Sequence, residues 1–215
     1  FTPDQVEYDN QRGIVTVKGA VEAWRADRIL RADEIVFDRA TGQSVAKGGI
    51  VLIDPSGQTM FASYAELDRE FKNGIFKDVG ALLPDNARMA ANGMRRTEGT
   101  INELSHVVYS TCNICVDDPK RPPVWQIKAK AAIQDTEHQM IEYKDASMEL
   151  LGVPVAYFPY FTHPDPSVPR RSGLLLPVFG NSSSIGAFFG QPYYWAIDQQ
   201  SDMTILPMMT TRSGP

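Results

Sequence analysis

Trp125-Gln-Ile-Lys-Ala-Lys-Ala-Ala-Ile-Gln134 alternates residue by residue, with Trp125, Ile127, Ala129, Ala131 and Ile133 on one parity and Gln126, Lys128, Lys130, Ala132 and Gln134 on the other. Side chains of an extended chain point alternately to opposite faces, so this run reads as a β-strand with one dry face and one wet face. Ala146, Met148 and Leu150 alternate with Ser147 and Glu149 in the same way.

Upstream, the same kind of run recurs with regular punctuation. Tyr8-Asp9 is followed by Gly13 and Gly19, Phe37-Asp38 by Gly42 and Gly48, and Leu67-Asp68, after a short insertion, by Gly74 and Gly80. The period is about 30 residues, each unit reading as two or three short strands separated by a Gly or Asp turn. Ala32-Asp-Glu-Ile-Val-Phe-Asp38, Ala62-Ser-Tyr-Ala-Glu-Leu-Asp68 and Ala129-Lys-Ala-Ala-Ile-Gln-Asp135 are variants of one pattern. A unit of this size cannot bury its own apolar face, so stacked neighbours must share a core. The expected fold is all-β, an elongated jelly roll of ~30-residue repeats. Its dry faces either fill a β-sandwich or line a long, open-ended interior able to carry acyl chains. On the second reading the path is lined by Trp125, Ile127, Ile133, Met148 and Leu150.

Composition agrees with a β protein: 16 Gly, 15 Pro and 10% aromatic residues in 215. The longest apolar run, Leu150 to Phe161, contains two prolines and falls short of the roughly 18 residues a transmembrane helix requires. The net charge of −5 is spread along the chain with no Lys/Arg cluster among aromatics, which argues against a nucleic-acid partner.

Beyond residue 171 the pattern changes. Ser172–Gly180, Ile185–Ile197 and Met203–Arg212 are apolar and aromatic segments of transmembrane-strand length, and each carries a proline near its middle: Pro177, Pro192 and Pro207. Proline has no N–H to give to a ladder and is normally confined to sheet edges. With Gln199-Gln200 as a two-residue turn, Pro192 faces Pro207, and Pro177 falls within a residue or two of the same height.

Residues 152–178 then carry a family resemblance. Pro154-Val-Ala-Tyr157-Phe-Pro159-Tyr160, the proline-rich stretch after it, Arg170-Arg171-Ser172-Gly173 and Pro192-Tyr193-Tyr194-Trp195 resemble the junction region of the LptD, or organic solvent tolerance, family of lipopolysaccharide-assembly proteins. The resemblance implies a periplasmic jelly-roll domain over 1–161, a linker over 162–171 and, over 172–215, the first three strands of an outer-membrane β-barrel. It implies transport without chemistry on the substrate, hence no cofactor and no enzyme. Lipopolysaccharide enters the jelly roll from a periplasmic bridge protein of the LptA type. The bridge is joined by strand addition at the exposed N-terminal edge, around Gln5 to Val17. The lipid leaves through a lateral barrel gate at which Pro177 and Pro192 match the family's positions, and a plug lipoprotein of the LptE type is the further partner. Pro207 extends the pattern by one strand. The alternative is a soluble periplasmic β-solenoid that binds or bridges lipid. A third possibility, a carbohydrate-active β-sandwich, would bind soluble glycans instead.

Cys112-Asn-Ile-Cys115 is the single CxxC, and with three scattered histidines it lacks the second ligand pair of a zinc site. No metal is expected. The context of Cys112 resembles the family's disulfide-forming cysteine, so Cys112 and Cys115 are disulfide candidates; which of them reaches the barrel, or whether they pair together, stays open. Asp33-Glu34 and Asp117-Asp118 are neighbours that point to opposite faces of a strand and cannot share a substrate. Arg170-Arg171 reads as a solubilising pair or a holder of lipid phosphate.

Overall fold

The computed structural model describes residues 5–25, 27–55, 57–84, 86–112, 122–168, 170–175, 177–198 and 200–212. The chain divides into two compact units, Phe1–Ser167 and Val168–Pro215. Among the described residues every regular element is a strand.

The first unit is one antiparallel meander. Its strands are β1 (Gln5–Asp9), β2 (Ile14–Arg25), β3 (Arg28–Asp38), β4 (Ser44–Ile53), β5 (Thr59–Leu67), β6 (Gly74–Leu82), β7 (Arg88–Thr97), β8 (Ile101–Ser110), β9 (Trp125–Asp135), β10 (Met140–Leu150) and β11 (Val153–Pro164). They lie side by side in chain order in a single 11-stranded sheet. The sheet folds over on itself, because residues far apart in that order meet inside: Gln58, just before β5, contacts Gln134 of β9, and Arg96 of β7 contacts Asp54 beyond β4. One face of the folded sheet therefore becomes a core, of which Leu30, Ala46, Leu52, Ala65, Ile141, Tyr143 and Ala146 are wholly buried.

The fold line explains where simple alternation fails. In β6 the inward residues are Phe76, then Val79 and Ala81; in β8 they are Leu104, then Val107 and Tyr109; in β10 they are Ile141 and Tyr143, then Ala146. Each strand skips one step at the same height. The residue there is Asp78, His106 or Asp145, with φ of 52°, 51° and 51°. Asp and His are among the few residues other than glycine that visit this left-handed region readily, and one such residue turns the following side chains to the other face. β2, β3 and β4 bend at the same level with register shifts at Lys18/Val21, Arg31/Glu34 and Lys47/Ile50. In β4 the bend is made by Gly48 and Gly49, both at positive φ; a Cβ at Gly48 would fall 2.3 Å from the Asp33 carboxylate.

The ~30-residue repeat has a physical origin in its aspartates. The Asp9 carboxylate accepts from the N–H groups of Gln11 and Arg12, Asp38 from Ala40 and Thr41, Asp68 from Glu70 and Lys72, and Asp135 from Glu137 and His138. Each is an Asx turn that reverses the chain between strands. The Ala40 N–H, together with the Thr41 hydroxyl and N–H, holds the exposed Asp38 carboxyl below its ordinary pKa. A depressed folded pKa stabilises the fold above the unfolded carboxyl's value of about 4 and loses that contribution as pH falls through the folded value. Asp38→Ala is therefore expected to flatten the fall of the urea midpoint between about pH 4 and pH 2; a slope identical to wild type would remove the charged turn as its source.

The second unit holds the three proline-bearing segments as six short strands. Each expected segment is cut in two at its proline: β12 (Gly173–Leu174) and β13 (Val178–Ser182) flank Pro177, β14 (Gly186–Gly190) and β15 (Tyr193–Ala196) flank Pro192, and β16 (Asp202–Ile205) and β17 (Met208–Thr210) flank Pro207. The pieces form two three-stranded sheets ordered β12-β15-β16 and β13-β14-β17, so the three segments keep one neighbour order on both sides of the break. Register differs by one residue from the two-residue-turn reading. Tyr193 faces Ile205, which sets Pro192 against Leu206. The loop gains a residue because the Asp198 carboxylate accepts from the N–H groups of Gln200 and Ser201, both at 2.7 Å; Gln199 itself lies outside the described residues.

Candidate functional site

The strand Trp125–Gln134 turns inward where expected only in its first half. Ile127 (9% exposed) and Ala129 face the core, but beyond the fold line it is Ala132 (2%) and Gln134 (3%) that are buried. Ile133 pairs across to Glu103 and Glu142, on the charged outer face. It is removed from the lining because Lys130, between the pairs Ala129–Ala146 and Ala131–Lys144, sits opposite Asp145, where the sheet bends. Met148 is half-buried beside Ile127, Trp125 packs against the core, and Leu150 is exposed at the strand end.

These residues end in an aromatic cluster. Tyr109 lies 6.2 Å from Trp125, 6.3 Å from Tyr143 and 4.9 Å from His163, measured between ring centroids. His163 Nδ1 is 2.6 Å from the Pro164 carbonyl and must donate to it, which leaves Nε2 to accept from the Tyr143 hydroxyl at 3.1 Å. Burial lowers the pKa of His163 and raises that of Tyr143, so both are neutral, and their polar atoms are paired with each other and with the Pro164 carbonyl in an otherwise aromatic wall.

Open apolar space lies at the other end of the sheet, in a place that alternation did not single out. A cavity of about 510 Å³ is bounded mainly by Val17, Val21, Ala23, Ile35, Phe37 and Phe71, with the charged Glu22, Arg25 and Arg69 also in its lining. Among the described residues β1, next to these strands, pairs only with β2 and is exposed along its whole length. Between this cavity and the aromatic cluster the interior is filled by Leu30, Leu52, Leu67 and Phe76, each at most 2% exposed.

Where the two halves of the folded sheet meet, they are joined by buried polar groups. Arg96 Nη2 lies 3.5 Å from Asp54 Oδ2 and donates to the Gly99 carbonyl at 2.7 Å. Burial pulls the Arg96 pKa down; Asp54 opposes this and the nearby Arg28 adds to it. Gln134 Oε1 accepts from Asn102 at 3.0 Å and from Gln58 at 3.4 Å, while its Nε2 donates to Asp165 at 2.8 Å. Asn102 Oδ1, Arg28 Nε and Arg96 Nε are buried with no partner among the described residues. The interior is thus fastened along one line by polar contacts that are only partly satisfied.

In the second unit the prolines stand at one level to within a residue. Val178 faces Gly190 and Gly190 faces Met208, so both Pro177 and Pro207 fall opposite Gln191. Each junction keeps one half of a ladder pair: Leu175 N–H donates to the Pro192 carbonyl at 2.9 Å and Gln191 N–H to the Pro207 carbonyl at 3.2 Å. The reciprocal bonds would need N–H groups that Pro192 and Pro207 lack. Tyr193 and Trp195 are exposed, while the Tyr194 hydroxyl accepts from Arg170 Nε at 3.1 Å and donates to Asp202 at 3.2 Å. Arg170 also pairs with Asp202, so it has fixed partners within this unit and is not simply a solvated charge. Cys112 is half-buried beside a smaller cavity lined by Phe61, Met89, Val108 and Gln126; Cys115 lies outside the described residues.

Fold and seam together define a class: an all-β chain whose folded antiparallel sheet, with an apolar interior, precedes three segments interrupted by prolines at one level. No protein-family model matches the chain. Among curated proteins, it is 32% identical over 200 residues to the LPS-assembly protein LptD of Acidovorax sp. (strain JS42), covering 93% of this chain and 24% of that protein. It is 29% identical to the LptD of Xanthomonas campestris pv. campestris (strain 8004), over 99% of this chain and 26% of the relative. With the LptD of Paracidovorax citrulli (strain AAC00-1) identity is 32% over 207 residues. The chain is a homologue of LPS-assembly protein LptD along nearly its whole length, and it spans about a quarter of the length of these relatives.

Proposed function

We propose that this chain is the lipid-receiving jelly roll and the opening barrel strands of a lipopolysaccharide translocon in the outer membrane of a Gram-negative bacterium, with residues up to about 161 in the periplasm. The observation that carries the proposal is the apolar cavity at β2 and β3 beside the exposed edge strand β1, in a chain homologous to LptD. A bridge protein of the LptA type adds a strand to β1 and so extends the sheet, making the cavity continuous with its own interior. Acyl chains then pass from Val17, Ile35 and Phe37 towards Ile127, Met148 and Trp125, with the polar sugars outside the fold. Passage requires the packed middle of the interior to widen, and the partly satisfied polar line at Asp54–Arg96 and Gln58–Gln134 is where the halves separate at least cost, since these groups regain water when parted.

Export ends at the prolines. An unpaired backbone group facing hydrocarbon costs several kcal/mol, and a strand pair that never held the full ladder loses less when it parts. Pro177 and Pro192 form the lateral gate on this reading, and a plug lipoprotein of the LptE type occupies the barrel that the remaining chain closes. The test is photo-crosslinking from Phe37, Ile127 and Met148 in the full-length protein in cells. Lipopolysaccharide adducts are expected at all three and not at the outward Ile133. Normal protein levels with no adduct at any inward position overturn the transport path.

A further inference from the structure

We infer that the side chain of Gln191 is the latch of the proline seam, supplying the hydrogen-bond donor that Pro192 withholds. The Leu175 carbonyl is the group left without a ladder donor at the β12–β15 side of the break, because its partner position is Pro192. Gln191 Nε2 donates to that carbonyl at 2.7 Å, and lies 3.4 Å from the Pro192 carbonyl, which also receives the Leu175 N–H. The side-chain amide thus closes the pair that the imide nitrogen leaves open.

Three features make position 191 the place for such a latch. It is the residue opposite both Pro177 and Pro207, so one side chain sits at the centre of all three interruptions. Its own N–H donates to the Pro207 carbonyl, which holds its backbone in register with the third segment while its side chain reaches the first. At neighbouring Gly190, a Cβ would come within 2.9 Å of Leu206 Cδ1 and 3.0 Å of Val178 Cγ2, so the absence of a side chain there lets the three segments close around Gln191.

A bond made by a rotatable side chain differs from a ladder bond in what its rupture requires. Swinging χ angles of Gln191 releases Leu175 without moving any strand, whereas breaking an N–H ladder bond moves the backbone itself. One rotamer change thus frees the Leu175 carbonyl, and the bonds from the Leu175 N–H to the Pro192 carbonyl and from the Gln191 N–H to the Pro207 carbonyl are what remain to part with the strands. This role deepens the gate reading and takes its functional meaning from it, but the bond is tested separately.

The experiment compares wild type, Gln191→Leu, Gln191→Glu and the double variant Gln191→Leu with Pro192→Leu in the full-length protein. Hydrogen–deuterium exchange is followed at 172–178 and 187–193, and surface lipopolysaccharide is measured in parallel. Gln191→Leu and Gln191→Glu are expected to speed exchange of the Leu175 N–H up to roughly ten-fold, the effect of one lost hydrogen bond. The Phe188 and Phe189 amides should be unchanged, and the double variant, with its backbone donor restored, should return Leu175 towards wild type. Unchanged exchange at Leu175, equal acceleration at Phe188 and Phe189, or no rescue by Pro192→Leu overturns the latch. Altered exchange with the predicted rescue but normal surface lipopolysaccharide keeps the latch and removes the gate function from it.

Discussion

Asp54→Ala is expected to lower the stability of the first unit by about 3–5 kcal/mol, because it leaves the Arg96 guanidinium buried without its countercharge. Arg96 is 2% and Asp54 7% exposed. Neither side chain has ready access to water as the unit stands, and Arg96 already has one buried nitrogen without a partner. The Asp54 carboxylate also accepts from the Gln58 N–H at 3.1 Å, so its removal frees a second buried donor. Asp54→Asn retains an acceptor for Gln58 and is expected to cost less. Replacing both members of the pair, Asp54→Leu with Arg96→Met, is expected to recover most of the loss, as apolar substitutes for buried ion pairs commonly do. Urea denaturation of wild type, Asp54→Leu, Arg96→Met and their combination gives the coupling, with Asp54→Ala and Asp54→Asn measured alongside. A loss under 1 kcal/mol for Asp54→Ala would mean that water reaches Arg96, and the polar line would then be wet in the resting state.

The second large effect concerns the prolines together. Pro177→Leu with Pro192→Leu returns a donor to each of two strands, and for Pro192 the waiting acceptor is known: the Leu175 carbonyl, now held by Gln191. Each restored backbone bond adds on the order of 1 kcal/mol in water and several where the strands meet hydrocarbon. Parting the segments should slow, because a backbone bond breaks only when the strands move, whereas the Gln191 side-chain bond it replaces is released by rotation. Surface lipopolysaccharide in cells carrying the double variant is expected to fall accordingly, with protein levels unchanged. Undiminished surface lipopolysaccharide would leave both residues without the role proposed for them. Pro207→Leu provides an independent comparison, since it restores a donor to the Gln191 carbonyl between the second and third segments only.

Much of this molecule is legible one residue at a time. Alternation at Trp125–Ala129 and at Ala146–Met148, the recurring aspartate turns and the three interrupted segments all follow from local rules: side chains alternate on extended chain, short carboxylates cap turns, and proline withholds a donor. The homology to LptD agrees with the motifs at 154–160, 170–173 and 192–195. Where the structure departs from local rules, each departure has its own physical cause. Strict alternation points Ile133 inward, and the bend at His106 and Asp145, non-glycine residues at positive φ that leave no periodic trace, turns it outward. The turn after Ala196 came out a residue longer because a single Asp198 carboxylate collects two N–H groups. Gln191 offered no signal at all, since a glutamine before a proline is unremarkable until the strand opposite is known.

Sequence by itself determined the β class, the repeat and the places where the ladder lacks donors, because these depend on covalent geometry and on neighbours a few residues away. Tertiary structure alone decided the rest: that Asp54 meets Arg96 and Gln58 meets Gln134 across the interior, that the open apolar space lies at Val17, Ile35 and Phe37, and that the Leu175 carbonyl meets the amide of Gln191. Those contacts join residues up to 76 positions apart. They exist because a sheet that cannot bury its apolar face while flat folds along one line, and the position of that line is set by where all its strands bend together.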